Sequence, residues 1–365
     1  MKTLKTQHEV KNYINGKFET YNEDTLDVLS PLDGSKISSI PLSTFQDVDM
    51  AVQAAKQAFQ EWSLKTLKER VQVFFKYRTL LEKNIDELSK LVQLENGKTY
   101  GEAKAEIEKS IELCEFAVSM PQIIVNEVQE VSKGVECKVE RKPLGVVASI
   151  NPFNFPNMVP HWTMPNALVL GNTMIMKPSE LVPLSAVRMA ELLKEAGLPD
   201  GVFNIVNGGK EVVEAICDHP KIEAVSFVGS TKVAKIVYKR ATSNLKRCVA
   251  LGGAKNHLLV LPDANPQMTA SNVVASMSGC AGQRCMAASV MVGVDNIQPI
   301  INRMVEDAKK LVPGDTLGSV ISAEAKKRIE EYITQAENEG AKILLDGRNV
   351  TVKGKEGGYY VGATI

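Results

Sequence analysis

An α/β fold built on a parallel, helix-wound sheet is what the middle of this sequence predicts, and three textures carry the prediction. Short apolar runs at 145–149, 173–176, 203–206 and 224–227 alternate with stretches of helical periodicity, as in a sheet whose strands are joined by helices. Upstream, residues 45–113 read as helix. Val48, Ala51, Val52, Ala55, Phe59 and Trp62 recur at helical spacing after a capping pattern, Ser43-Thr44-Phe45-Gln46. Between the two, Val135, Cys137 and Val139 alternate with Glu136, Lys138 and Glu140, the two-residue period of a strand with one wet face. A second strand-and-helix series begins near His257 and runs through Cys285 to a charged helix over 323–339 and a strand at 342–345.

Composition narrows the function. With 365 residues, 44% of them hydrophobic, the chain can bury two or three domain cores. Lys and Arg number 43 against 43 Asp and Glu, so no electrostatic footprint for nucleic acid or an anionic membrane is present, and small neutral or anionic substrates fit better. The N-terminal residues lack the apolar core of a targeting peptide, and no apolar stretch is long enough to cross a bilayer, so a cytoplasmic protein is expected. Six cysteines lie scattered without Cys-x-x-Cys spacing, and the four histidines form no ligand pattern. Free thiols and no metal site are expected.

The segment 278–287 reads Ser-Gly-Cys-Ala-Gly-Gln-Arg-Cys-Met-Ala. A cysteine is nucleophilic as the thiolate, and Arg284 beside Cys285 favours that form. Gly279, Ala281, Gly282 and Ala287 leave room for a substrate to reach the sulfur. Far upstream, Asn154 in Asn151-Pro152-Phe153-Asn154-Phe155-Pro156 offers an uncharged amide donor for a developing oxyanion. A small buried hydrophobe is the other reading of any such cysteine. In an open parallel sheet ligands bind beyond the carboxyl ends of strands, where Asn154, Lys177, Gly208 and Gly229 fall.

Five motifs in order resemble the aldehyde dehydrogenase superfamily: Asn-Pro-Phe-Asn-Phe-Pro at 151–156, Met-Lys-Pro-Ser-Glu at 176–180, Phe-Val-Gly-Ser-Thr at 227–231, Leu-Gly-Gly at 251–253 and Gly-Gln-Arg-Cys at 282–285. Gly253-Ala254-Lys255-Asn256-His257, Pro262-Asp263-Ala264-Asn265 and Gly-Gln-Arg-Cys-Met-Ala together are most similar to the CoA-acylating methylmalonate-semialdehyde dehydrogenases. The resemblance implies an NAD-binding domain over 1–125 and 142–250, an oligomerisation strand extension over 126–141 and a catalytic domain over 251–365. It also implies a homo-oligomer, dimer or tetramer, for a chain that carries the family's complete C-terminus. Relatives continue past residue 365 into a Glu-x-Phe-Gly-Pro motif and a further segment, so this chain alone is expected to be poorly soluble or slow.

No Gly-x-Gly-x-x-Gly is present, so the NAD site rests on the resemblance. Gly229 and Ser230 open a helix whose backbone N–H groups suit a pyrophosphate, although an ordinary capped helix has the same pattern. Ala234 stands where relatives often carry a second glycine. Lys177 and Glu180 are implied to hold the adenine ribose hydroxyls, and a carboxylate there favours NAD over NADP. Ile150, Pro152, Phe153, Gly208 and Gly252 complete the implied cofactor residues.

By the same resemblance Cys285 attacks the aldehyde, the Asn154 amide and the Cys285 N–H hold the oxyanion, and hydride transfer leaves a thioester. Hydrolytic relatives carry a glutamate just before Leu-Gly-Gly, but here the position is Ala250, which cannot act as a general base. Coenzyme A is then the implied acyl acceptor. A hydrolytic enzyme using another carboxylate and a chain with little turnover remain the alternatives. Arg284, and Lys109 where the family has a second clamp arginine, are the implied partners of a substrate carboxylate.

Overall fold

The computed structural model describes residues 8–21 and 23–365. Strands β1 (His8–Glu9), β2 (Asn12–Ile14), β3 (Lys17–Glu19), β4 (Thr25–Leu29) and β5 (Lys36–Pro41) open the described chain. They precede helices α1 (Phe45–Trp62), α2 (Leu67–Lys83), α3 (Ile85–Asn96), α4 (Tyr100–Val118) and the single turn α5 (Met120–Ile123). Three of these helices start alike, with a threonine before the first turn and an acid three residues on. In α1 the cap is Thr44, one residue beyond the expected Ser43, because its N–H and Oγ1 both donate to Asp47 Oδ2 at 2.8 and 3.0 Å. Thr66 with Glu69 and Thr99 with Glu102 repeat the device on α2 and α4.

The hairpin β6 (Glu127–Ser132) and β7 (Val135–Val139) corrects one expectation. Every residue of both strands is exposed, so the period-two pattern has two wet faces within the chain. A lone two-stranded ribbon covers neither of its faces.

The wound region follows as β8 (Val146–Ile150), α6 (Met158–Val169), β9 (Thr173–Lys177), α7 (Leu184–Glu195), β10 (Phe203–Ile205), α8 (Lys210–Asp218), β11 (Ile222–Val228), α9 (Thr231–Ser243) and β12 (Arg247–Leu251). The sheet order is β12-β11-β8-β9-β10-β2-β3. The first five strands run parallel, as the alternating texture predicts, while β2 and β3 add an antiparallel edge that the sequence reading did not contain. Alternate side chains divide between two cores: Val147, Met174 and Met176 pack with Trp62, Phe74 and Tyr77, whereas Val146, Ala148, Ile150 and Ile175 pack with Val48, Val52 and Ile216. From β8 the chain winds one way to β9 and β10 and the other way to β11 and β12. The crevice beyond the ends of β8 and β11 is therefore a topological switch point.

A second β-α-β unit consists of β13 (Asn256–Val260), α10 (Pro266–Ser278) and β14 (Ala288–Gly293), followed by α11 (Gln298–Ala308) and α12 (Ala323–Asn338). The strand expected at 342–345 is absent. Leu344 and Leu345 exchange backbone hydrogen bonds with Ile365 alone, and one residue is too little to extend a ladder. Among the described residues no helix is long and apolar enough to cross a membrane, and all six cysteines are free.

His161 on α6 supplies a pH handle on this core. Its Nδ1 lies 2.7 Å from the Asn157 carbonyl and its Nε2 3.0 Å from the Tyr77 hydroxyl. Complete burial lowers its pKa from 6.5 to about 4, against the opposing hydrogen bond to Asn157. Above pH 6.5 the ring is neutral in both states; as pH falls the unfolded chain takes up a proton that the native chain refuses until about pH 4. Stability should drop by about 3 kcal/mol across that window. Denaturant titrations of the protein and of His161→Gln at several pH values check this, and an equal slope in both would refute it.

Candidate active site

Register brings the carboxyl ends of β8, β9, β11 and β12 level, since Ile150 pairs with both Lys177 and Phe227 and Phe227 pairs with Ala250. Ile150 is buried at the end of β8, and residues 151–157 then turn across the sheet edge into α6. Three side chains from the α3–α4 region hold that turn. Asn96 Nδ2 donates to the Phe153 carbonyl at 2.8 Å, and Lys98 Nζ donates to the Asn154 carbonyl at 2.8 Å. Glu106 Oε1 accepts from Asn157 N–H at 2.8 Å and Met158 N–H at 3.0 Å, satisfying orphan donors at the start of α6. Lys98 and Glu106 themselves pair at 2.6 Å, almost fully buried. Burial pulls the Lys98 ammonium towards neutrality, but the Glu106 carboxylate more than offsets it and sets its pKa above the usual lysine value.

The turn meets the cysteine loop directly. Asn154 Nδ2 donates to the Gln283 carbonyl at 2.7 Å, two residues before Cys285. Gln283 in turn donates to the Cys280 carbonyl at 2.9 Å and accepts from Ile321 N–H at 3.0 Å. Downstream, Asn256 Nδ2 holds the carbonyls of Cys285 and Ala287 at 2.8 and 2.9 Å, so β13 anchors the far side of the nucleophile candidate. Cys280 and Ala281 adopt left-handed backbone, at φ 52° and 50°, a conformation that costs non-glycine residues about 1–2 kcal/mol each.

The two loop cysteines differ in setting. Cys285 is partly exposed, whereas Cys280 is buried beneath the loop. Burial pushes the Cys280 thiol up to about 11, with Lys98 opposing the rise, so it is held as a neutral thiol near neutral pH. Arg284 lines a cavity of about 540 Å³ together with Met277, Ser278, Gly282, Ala287 and Ile301. Its guanidinium lies 3.7 Å from Glu102 and covers Gly279, where a Cβ would stand 2.2 Å from the guanidinium carbon. Lys109 lies on α4. It is half exposed and pairs along its own helix with Glu112, while Lys98 is the α3–α4 cation turned to Asn154.

On the sheet side, Lys177 is buried and its Nζ lies 3.0 Å from Glu180 Oε2. Burial opposes the charge on Glu180, but Lys177 outweighs it and holds the carboxyl below its usual range. Ser230 caps α9, its Oγ accepting from Val233 N–H at 3.4 Å, and a Cβ at Gly229 would come within 2.5 Å of the Phe227 ring. Gly252 lies against Thr231, whose Oγ1 accepts from Gly253 N–H at 3.0 Å. Thr231, Gly252 and Gly253 line a cleft of about 380 Å³ together with Ala234, Lys235, Tyr238 and Ala250. A helix start opened by Gly229 and Ser230, with a lysine–glutamate pair at the same end of the sheet, fits a dinucleotide with a pyrophosphate and a ribose diol. Gly208 has a packing reason: at φ +138° its missing Cβ avoids Val212 and Ser43. Pro152 and Phe153 lead into the same edge, partly exposed.

The aldehyde dehydrogenase family model matches residues 18–365. The chain belongs to the aldehyde dehydrogenase family. Among curated relatives, it is 45% identical to malonate-semialdehyde dehydrogenase 2 of Oceanobacillus iheyensis, an alignment spanning 100% of this chain and 76% of that protein. The protein of the same name from Bacillus anthracis is also 45% identical, with the same coverage. Among solved structures, methylmalonate-semialdehyde dehydrogenase from Oceanimonas doudoroffii superposes with a TM-score of 0.96 at 39% identity, over 98% of this chain and 75% of that one. A Sinorhizobium meliloti protein described as a putative methylmalonate-semialdehyde dehydrogenase, in complex with NAD, superposes with the same TM-score at 37% identity, over 99% and 75%.

Asn96, Lys98, Glu102, Glu106 and Asn256 had no site role in the sequence reading. Two of them left a signal: Asn256 stands in the motif over 253–257, and Glu102 is the acid of the Thr99-x-x-Glu102 capping box, which also accepts from Cys280 N–H at 2.6 Å. Lys98 precedes the cap, so its pairing with Glu106 has no helical spacing to betray it.

Proposed function

We propose that the chain catalyses NAD-dependent oxidation of malonate or methylmalonate semialdehyde, with acyl transfer to coenzyme A. The observation that carries this reading is the Asn154 amide lying against the Gly-Gln-Arg-Cys loop at the sheet's switch point. Cys285 Sγ attacks the aldehyde carbon, and the Asn154 Nδ2–H and the Cys285 N–H receive the oxyanion. In this reading Asn154 exchanges the Gln283 carbonyl for the substrate oxygen. NAD held there would supply the hydride acceptor, so that the adduct on Cys285 becomes a thioester. Ile150, Pro152, Phe153, Lys177, Glu180, Gly208, Gly229, Ser230 and Gly252 form the NAD site, with Lys177 and Glu180 taking the ribose hydroxyls. Arg284, lining the cavity of about 540 Å³, takes the substrate carboxylate in exchange for Glu102, and Lys109 is the second candidate cation for it. The β-carboxylated thioester loses CO2, the enolate left behind takes up a proton from solvent, and CoA as the thiolate then displaces the Cys285 thiolate to release acetyl-CoA or propionyl-CoA.

Ala250 is what points to CoA. It presents a methyl group to the cleft, so that position holds no base to activate water. Without CoA, NADH should form as a single burst of about one equivalent per site and then slow sharply, whereas added CoA should sustain turnover and yield acyl-CoA. Free carboxylic acid formed at the same rate without CoA would overturn this and favour a hydrolytic enzyme. The exposed β6–β7 hairpin suits a homo-oligomer, dimer or tetramer, and a cytoplasmic location fits a CoA-dependent step.

A further inference from the structure

The turn that carries Asn154 is not self-supporting. It lies between the end of β8 and the start of α6, and four of its backbone groups are held by side chains from the α3–α4 region: Phe153 by Asn96, Asn154 by Lys98, Asn157 and Met158 by Glu106. Lys98 is the hub of this brace. Its ammonium donates to both Glu106 Oε2 and the Asn154 carbonyl and stands 4.2 Å from the centre of the Phe155 ring. Its side chain is 1% exposed and that of Glu106 is 0% exposed. A cation buried this deeply, bonded to the backbone of the residue whose amide meets the cysteine loop, costs desolvation that an apolar residue of similar length would avoid.

We propose that Lys98 is a positioning residue for the chemical step: anchored by Glu106, it fixes the Asn154 carbonyl and thereby aims the Asn154 amide at the position of the oxyanion over Cys285. This inference rests on the oxyanion role proposed for Asn154. Lys98 touches neither aldehyde nor cofactor in this arrangement and acts through Asn154 alone. An amide displaced by about 1 Å loses roughly 100-fold in rate with little change in substrate binding.

The test is a mutant cycle in single-turnover NADH formation. Lys98→Met paired with Glu106→Gln removes both charges, and the side-chain carbonyl of the introduced glutamine keeps an acceptor for the start of α6. This double variant should fold, bind NAD with unchanged affinity and lose roughly 10- to 100-fold in the rate of NADH formation, with KM nearly unchanged. Adding the same two changes to Asn154→Ala should cost nothing further, because the group being aimed is gone. Amide exchange over 153–158 should quicken in the double variant, a readout independent of turnover. Losses that multiply in the Asn154→Ala background, or unchanged exchange at 153–158, would overturn the inference. A fully active double variant beside a crippled Asn154→Ala enzyme would overturn the inference alone. An Asn154→Ala enzyme of full rate would overturn the oxyanion assignment beneath it.

Discussion

Cys285→Ala should abolish NADH formation, by roughly 10³-fold or more, while leaving NAD binding intact. The reason is positional as well as chemical. The Cys285 carbonyl is anchored by Asn256 on β13 and the loop is gripped two residues earlier by Asn154, so the backbone around position 285 is held without any help from the sulfur. Alanine should therefore remove the nucleophile and little else. Cys280→Ala is the matched control: that thiol is buried and kept neutral with its pKa at about 11, and its loss should leave NADH formation in place. The measurements are NADH absorbance under saturating aldehyde and NAD affinity by fluorescence titration. Appreciable turnover by the Cys285 variant, or none by the Cys280 variant, would move the nucleophile assignment.

Glu106→Ala should be among the most destabilising single substitutions in the chain, at about 3–5 kcal/mol. It strands the Lys98 ammonium in the interior and leaves the Asn157 and Met158 N–H groups without an acceptor. For a chain of 365 residues that corresponds to a fall in Tm of roughly 5 °C. Glu106→Gln paired with Lys98→Met should recover most of the loss, because no unpaired charge remains. Thermal melts of the three proteins decide it. A Glu106→Ala melt within a degree or two of the parent would show that water reaches the pair and that its burial is not maintained in solution.

Much of the architecture was legible because local chemistry writes it. The apolar runs that became β8 to β11 lie in a parallel sheet packed on both faces and so appear as short hydrophobic stretches, and α12 begins where its charged helical pattern does. At 342–345 the expected strand is not formed: Leu344 and Leu345 bond to Ile365 without making a ladder. The strand expected from the alternation at 135–140 forms as β7, but its covered face is not supplied within the chain, since alternation implies such a face without saying what covers it.

By itself the sequence determined the order of the motifs, the residue types at the proposed nucleophile and its proposed amide partner, and the methyl group at Ala250, because each is a property of one position or a short window. The tertiary structure alone decided that Asn154 meets the cysteine loop at Gln283, that Cys285 is more accessible than Cys280, and that Lys98 is the cation bonded to the Asn154 carbonyl. Those outcomes depend on pairs 56 and 129 residues apart along the chain, brought together by the register of β8, β9 and β11 and the packing of α4 on α6. No local periodicity encodes such pairs. Lys98 and Lys109 are each a lysine at one end or on one face of a charged helix, and only burial against the 151–157 turn distinguishes them.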